Sequence, residues 1–141
     1  MSRDFTEIAA WQLAHQLNLR VDLFLLSPDF KRHYPRLHQL SDAVRLGPRS
    51  IAEGFEDDPR VFADRLRQAK GCEAEVLDHL AAAYDQRLIT LDELRITEHL
   101  TKRAIKAANG LIRQLEAVDG PTATPRAKGR KRSRMRSNPT N

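Results

Sequence analysis

The chain has 141 residues, of which 40% are hydrophobic and 6% aromatic, with six glycines. This length fits one domain with a tail, and the low aromatic and glycine content argues against a β-sandwich or barrel and favours helices. No apolar run approaches the roughly 20 residues of a membrane span, and no signal-peptide core follows Met1. We therefore expect a cytoplasmic protein with no membrane partner.

Charge is unevenly distributed along the chain. Residues 1–119 hold all 19 acidic residues and 17 of the 24 lysines and arginines, which leaves a net charge of −2. The other seven cations are Arg126, Lys128, Arg130, Lys131, Arg132, Arg134 and Arg136. No acid and no apolar periodicity accompanies them, so residues 120–141 are predicted to be a disordered basic tail. Such a tail attracts RNA or DNA electrostatically, without sequence selection.

Four segments before the tail carry apolar residues at three- and four-residue spacing, the pattern of amphipathic helices. The predicted helices run from about Phe5 to Leu26 with Asp4 as a candidate cap, from near Pro35, from Pro59 to about Gln86, and from a Thr90–Glu93 capping box to about Val118. Helices of this length joined by short loops predict an all-α fold, an antiparallel up-down-up-down four-helix bundle over residues 1–119.

Glycine and proline mark the expected ends and breaks of these helices. Gly47-Pro48 predicts a break in the second helix, and Gly54 is expected to cap its C-terminus in a left-handed conformation. Asp57 or Asp58 should cap the third helix, with Pro59 in its first turn. Gly71 lies in the middle of that helix and predicts close approach by another helix, with a tolerated surface glycine as the alternative.

Several of these residues together resemble a known family. They are Trp11, Gln39, Pro48, the run Ile51-Ala52-Glu53-Gly54, and Ala69, Gly71 and Glu75. They resemble, over about residues 5–118, the bacterial four-helix bundle proteins that include those encoded by intervening sequences in large-subunit ribosomal RNA genes. The chain departs from the family pattern at Leu46 and Ser50, where serine and asparagine are usual, and at Cys72, where serine is typical.

The resemblance implies an antiparallel bundle, commonly assembled as a ring-shaped pentamer, with no established enzymatic activity. The family is similar in structure to the accessory variability determinant of diversity-generating retroelements, a basic pentamer that binds nucleic acid and a reverse transcriptase. This chain lacks the glycine-rich, tryptophan-containing C-terminal end of that subgroup. A homo-oligomer is therefore expected, with nucleic acid or another protein as further partners.

The last predicted helix carries a candidate nucleic-acid surface. Arg95, His99, Lys102, Lys106 and Arg113 follow one another at steps of three, four or seven residues, with Arg103 beside them. One helix face with this many cations can contact phosphates. The alternative is a solvated face on which Glu98 and Asp92 pair with the cations. The corresponding alternative for the whole protein is a protein–protein scaffold or accessory subunit, with the tail only solubilising it.

Enzymatic and metal-dependent functions find less support in the sequence. Arg32 and His38 have the Arg-x5-His spacing of the HEPN ribonucleases, in which such a pair supplies a phosphate-binding cation and a general acid or base. Glu53, Glu73 and Glu75 could form a carboxylate cluster, but no histidine lies three residues after a glutamate, as bundle di-iron sites require. No catalytic residue, metal or cofactor is therefore predicted, and Cys72 is expected to be a small buried packing residue.

Overall fold

The computed structural model describes residues 4–123, with side chains described through residue 117. All the regular secondary structure in this range is helical. A 3-10 turn at Phe5–Glu7 precedes α1 (Ala9–Phe24), α2 (Pro28–Arg32), α3 (Tyr34–Gly54), α4 (Pro59–Asp85) and α5 (Leu91–Ala123). The all-α prediction is confirmed. No helix in the described range is long and apolar enough to cross a membrane.

The four long helices pack side by side around a shared interior. The main contacts join α3 to α1 and α4, and join α5 to the same two helices, while the short α2 packs on α3. Apolar residues at three- and four-residue spacing supply the interior face of each long helix. In α1 the spacing predicts a stripe of Ala10, Leu13, Ala14, Leu17, Val21, Phe24 and Leu25, of which all but the half-buried Leu25 are buried. Sequence periodicity alone therefore identified which face of each helix is covered.

The N-terminal region differs from its prediction in two ways. Asp4 does act as a cap, accepting from the Thr6 N–H at 2.8 Å, but it caps the 3-10 turn, and α1 begins only after the extended Ile8. A further short helix, α2, follows directly after the predicted end of the first helix near Leu26. The Ser27 hydroxyl accepts from the Phe30 N–H at 3.1 Å, and the Phe30 side chain is fully buried, which fixes this single turn against the core.

The centre of the chain corrects two further predictions. Helix α3 continues through Gly47 and Pro48, so the expected break does not end the helix there. Gly54 is the last helical residue and has no left-handed backbone. Its role is steric: a Cβ at Gly54 would lie 2.7 Å from Cβ and 2.6 Å from Cγ of Arg65. Glycine is required here because α3 and α4 approach each other too closely for any side chain.

Capping side chains begin the next two helices where the sequence predicts them. Asp58 accepts from the Arg60 and Val61 N–H groups at 3.0 and 3.1 Å, with Pro59 in the first turn of α4. In the capping box of α5, the Thr90 N–H donates to Glu93 Oε1 at 2.8 Å and the Glu93 N–H donates to Thr90 Oγ1 at 3.1 Å. These predictions succeed because each cap depends on residues within one turn of sequence.

The C-terminal end of α4 agrees with its prediction, whereas that of α5 differs. Helix α4 ends at Asp85, within one residue of the predicted end. Two residues later Arg87, a non-glycine residue, has a φ of 64°, and the next N–H, that of Leu88, donates back to the Ala83 carbonyl at 2.8 Å. Helix α5 runs to Ala123 and so includes residues 120–123, which the sequence assigned to the tail. Extending an existing helix costs much less than starting one, which favours continuation of α5. The rest of the predicted tail lies outside the described residues.

Gly54 and Gly71 give a matched test. Gly54→Ala forces a Cβ against the Arg65 stem and should lower the free energy of unfolding by about 1–3 kcal/mol. Gly71 is exposed, and a Cβ there would meet nothing within 4 Å, so no helix of the same described chain approaches closely at this position. Gly71→Ala should raise stability by up to about 1 kcal/mol through helix propensity alone. Urea unfolding of both variants checks this, and equal effects would contradict the packing assigned to Gly54.

Candidate nucleic-acid interface

The cationic stripe of α5 faces away from the core. At about 100° per residue, Arg95, Lys102, Lys106 and Arg113 fall within about 40° of arc around the helix, and His99 lies next to them. All five side chains are exposed. Fully buried Ala104 lies about 180° from Arg95 by the same geometry, on the face that contacts the core. The structure therefore brings these predicted residues together on one solvent-facing surface, which we call the α5 stripe.

The cations of the α5 stripe carry uncompensated charge. Within the described range, no ion pair or hydrogen bond joins the side chain of Arg95, Lys102, Lys106 or Arg113 to another residue. The alternative in which Asp92 and Glu98 pair with the stripe has no such contact to support it. Each cation is therefore free to exchange its counterions for phosphate oxygens.

Other arginines of the chain are engaged with acids of the same chain. Arg65 lies 3.7 Å from Glu53, and Arg67 bridges Asp64 on its own helix to Glu116 on α5. These pairs link neighbouring turns or neighbouring helices, and their exposed geometry makes each worth no more than about 1 kcal/mol. Against this background, the α5 stripe is a surface whose charge the described fold does not use.

An open groove borders the stripe on the side of α1. Three large aliphatic residues line it with unusually high exposure: Leu19 at 53%, Leu23 at 62% and Ile96 at 43%. Arg20 and Arg103 stand among them and, within residues 4–117, form no ion pair. Arg95 and His99 of the stripe line the same groove. Sequence analysis missed this surface, although Leu19 and Leu23 both fall outside the core stripe of α1 and so signalled exposure.

A buried carboxyl group divides the core into two clusters. Along α3, Val44 belongs to one cluster and Ile51 to the other, with Gly47 between them. Along α4, Glu73 occupies the corresponding intermediate position; it is 2% exposed, and its Oε2 lies 3.5 Å from where a Gly47 Cβ would be. Neither carboxyl oxygen has a hydrogen-bond partner. Burial raises the pKa of Glu73 to about 8, so the group is neutral at pH 7.

Glu73 should make stability fall as pH rises. Below about pH 4.5 the carboxyl is protonated in both states; between about pH 4.5 and 8 only the unfolded chain releases the proton, and stability declines by about 1.4 kcal/mol per pH unit. Glu73→Gln removes this dependence, so its advantage over the natural chain should widen from pH 5 to pH 7. Denaturant titrations across this range measure the difference. Glu75→Gln, an exposed neighbour, is the control, and parallel pH curves for Glu73→Gln and the natural chain would show that Glu73 is ionised in the folded protein.

A small polar network lies on the other side of α4. Arg36 Nη1 on α3 donates to His79 Nδ1 at 2.7 Å, which places the imidazole proton on Nε2, 3.4 Å from Glu75 Oε2. Glu75 thus contacts its own helix and reaches no other described helix.

Cys72 is half-buried, where a fully buried residue was predicted, because it sits at the edge of the α4 interior face. Burial, with Glu75 and Glu73 nearby, raises the pKa of its thiol, which disfavours the nucleophilic thiolate.

The other candidate sites are placed as follows. Arg32, on α2, forms an ion pair with Asp29, while His38 on α3 packs edge-on against Tyr34, so each is engaged with a different local partner. Across the described part of the chain, no group of three His, Cys, Asp or Glu side chains could hold a metal ion. The tail candidates, Arg126, Lys128, Arg130, Lys131, Arg132, Arg134 and Arg136, lie outside the described residues.

The residues behind the family resemblance separate into a core group and a surface group. Pro48, Ile51, Gly54 and Ala69 are buried, Trp11 and Ala52 are half-buried, and Gln39, Glu53, Gly71 and Glu75 are exposed. Trp11 stacks on His15 at 4.6 Å and packs against the cluster that contains Ile51 and Ala69. The buried members therefore have a packing role, whereas Gln39 and Gly71 have no intramolecular role that the structure explains.

No model of a known protein family matches the chain, and neither does any curated protein or solved structure. The resemblance to the bacterial four-helix bundle proteins therefore stays a prediction that rests on the motif residues.

Proposed function

We propose that the protein is a non-enzymatic, antiparallel four-helix bundle that self-associates and binds RNA or DNA through the α5 stripe and the basic tail. The observation that carries this proposal is the row of exposed stripe cations with no intramolecular partner among the described residues. Like charges three and four residues apart on one helix face repel one another. A polyanion relieves that repulsion.

The shape of the stripe suits a polymer rather than a small anion. From Arg95 to Arg113 it extends about 27 Å along the axis of α5, at 1.5 Å per residue. Cations at successive helical turns can follow several phosphates of one strand. The described stripe has no aromatic side chain except the His99 imidazole, so base stacking contributes little and binding should be insensitive to sequence.

Self-association strengthens this proposal through avidity. The motif residues resemble a family that commonly forms pentameric rings, and several copies would present several stripes and tails to one nucleic acid. Each tail of seven cations binds weakly alone, whereas tails held together share one polymer. The site of action that fits these properties is the cytoplasm.

Removing stripe charge should weaken RNA binding and its dependence on salt. For Lys102→Gln with Lys106→Gln, we expect weaker affinity for a single-stranded RNA, with the slope of log K against log salt reduced by about 1.4, because each lost phosphate contact removes about 0.7. Fluorescence anisotropy over a salt series measures both quantities. Deleting residues 124–141 should reduce the slope further.

Lys31→Gln with Arg49→Gln is the matched control for this experiment. Both residues are exposed, neither has an ion pair in the described structure, and they lie on α2 and α3. This control lowers the net charge equally and should leave affinity nearly unchanged. Equal losses in the two double variants would mean that net charge, and not the α5 stripe, determines binding. No binding at low salt by the full chain would reject the proposal.

The same binding reactions test the absence of enzymatic activity. Labelled RNA incubated with the full chain in a chelator should stay intact, as judged by gel electrophoresis. Cleavage that disappears in His38→Ala would instead support the HEPN-like ribonuclease alternative, with Arg32 and His38 as the catalytic pair. Cleavage that persists in His38→Ala would exclude that pair and still contradict a purely binding function.

A second candidate function is an accessory subunit or scaffold that docks another protein, for example a reverse transcriptase. The observation that favours it is the aliphatic groove between α1 and α5, because nucleic acid makes little use of exposed leucine and isoleucine. Binding of a protein partner that survives deletion of residues 124–141 and the stripe substitutions would distinguish this function from the first.

A further inference from the structure

The groove between α1 and α5 combines two properties that one occupant must match. Leu19, Leu23 and Ile96 offer a large exposed apolar surface, and Arg20 and Arg103 offer charge with no ion-pair partner in the described fold. An occupant must therefore bring small or apolar groups to cover the aliphatic side chains, together with carboxylates to meet the guanidinium groups.

The described chain carries a surface of this complementary kind on α4. Gly71, Ala74, Asp78, Ala82 and Asp85 recur at steps of three and four residues and fall within about 80° of arc on the face of α4 away from the core. Ala82 is half-buried and the other four are exposed. Asp78 and Asp85 form no ion pair with any residue the structure describes. We call these five residues the α4 outer face.

We propose that the groove between α1 and α5 of one copy receives the α4 outer face of a second copy. The small residues Ala74 and Ala82, one turn on either side of Asp78, would leave room for the large side chains of Leu19 and Leu23, which flank Arg20 in the groove. Asp78 and Asp85 would supply the carboxylates for Arg20 and Arg103. Size and charge thus match in the same pairing of surfaces.

Two other occupants fit the groove less well. Residues 124–141 carry seven cations and no acid, so the cations of the groove repel them. RNA could use the cations, but it would leave Leu19, Leu23 and Ile96 either exposed or against polar sugar and phosphate groups. The acidic, small-residue face of α4 satisfies both requirements.

The proposed contact joins different surfaces of the two copies. The groove and the α4 outer face occupy separate parts of each molecule, so one copy can use both at once. Such a heterologous contact closes into a ring if the rotation between copies permits, and otherwise extends as a filament. Self-association is part of the function proposed above, and this pairing of surfaces adds where the copies meet.

Charge exchange tests the pairing directly. Arg20→Glu with Arg103→Glu should shift the natural chain from oligomer to monomer at a given concentration, and Asp78→Arg with Asp85→Arg should do the same. An equimolar mixture of these two double variants should form an oligomer of alternating copies, because both junctions between unlike copies then have opposite charges: the Glu-bearing groove meets the Arg-bearing face, and the unchanged groove meets the unchanged face. The chain carrying all four substitutions should recover the oligomer. Light-scattering mass and sedimentation velocity over a wide concentration range give the measurement.

Leu23→Glu tests the apolar part of the contact, with Leu46→Glu as the matched control. Leu46 is exposed on α3, outside both surfaces, so the same substitution there should leave the mass unchanged. Circular dichroism and urea unfolding establish that each variant is folded. Arg20 and Arg103 lie outside the α5 stripe, and its residues Lys102, Lys106 and Arg113 do not line the groove, so their phosphate contacts can be measured separately from loss of the oligomer.

Three results would overturn the pairing. A natural chain that is monomeric throughout rejects it together with self-association, while RNA binding by the α5 stripe can still be observed on the monomer. An oligomer that neither charge variant alters, or that the four-fold variant does not restore, rejects the pairing but retains self-association. Weaker RNA binding in Arg20→Glu with Arg103→Glu, with the oligomeric mass unchanged, would assign the groove to nucleic acid.

Discussion

The structure depends on how closely α3 and α4 approach at Gly54. The absence of a side chain there brings the α3 backbone against the stem of Arg65, and the neighbouring Phe55 and Phe62 rings meet edge to face at 6.1 Å. This contact fixes where α4 begins relative to the end of α3. Because α4 in turn packs along α5, the position of the cationic helix also depends on this contact.

Local signals in the sequence were sufficient to predict the helices and their caps, but not the contacts that residues make with other helices. The capping box at Thr90, the Asp58 cap and the buried stripe of α1 depend on residues within one or two turns, and each was predicted correctly. The role of Gly54 depends on Arg65 in another helix, and the buried turn at Phe30 depends on the core that receives it. Residue spacing could reveal neither feature, because both depend on residues distant in the sequence. Glycine, for example, is equally suited to a left-handed cap and to a close contact between helices.

The sequence of α4 already indicates that Glu73 is buried, although the predictions did not use this indication. Leu66, Ala69, Val76 and Leu80 are spaced along the interior face of α4, and residue 73 occupies the missing position in that series. A glutamate at an interior position is unusual because burying its charge is costly. Its place in the periodic pattern therefore carried more information than its grouping with Glu53 and Glu75 as carboxylates.

The described cations of this protein fall into two groups: some form ion pairs within the fold, and others have no ion-pair partner among the described residues. Arginines such as Arg65 and Arg67 are paired with acids across α3, α4 and α5, whereas the α5 stripe and the groove beside it have no such partners among the described residues. Net charge would not show this difference, since the first 119 residues are slightly acidic. The distribution of unpaired charge, and not its total, is what directs attention to α5.

The division of the core at Glu73 also constrains how the chain can fold. Each of the four long helices contributes to both apolar clusters: one contains Leu13 and Ala104, and the other contains Ile8 and Ile112. Neither cluster can close before the last long helix has emerged, because both need residues from the two ends of the domain. Because the two apolar clusters share all four long helices, neither can fold as an independent unit, and packing of one cluster is coupled to packing of the other. The chain therefore gains its tertiary packing late in synthesis and cooperatively.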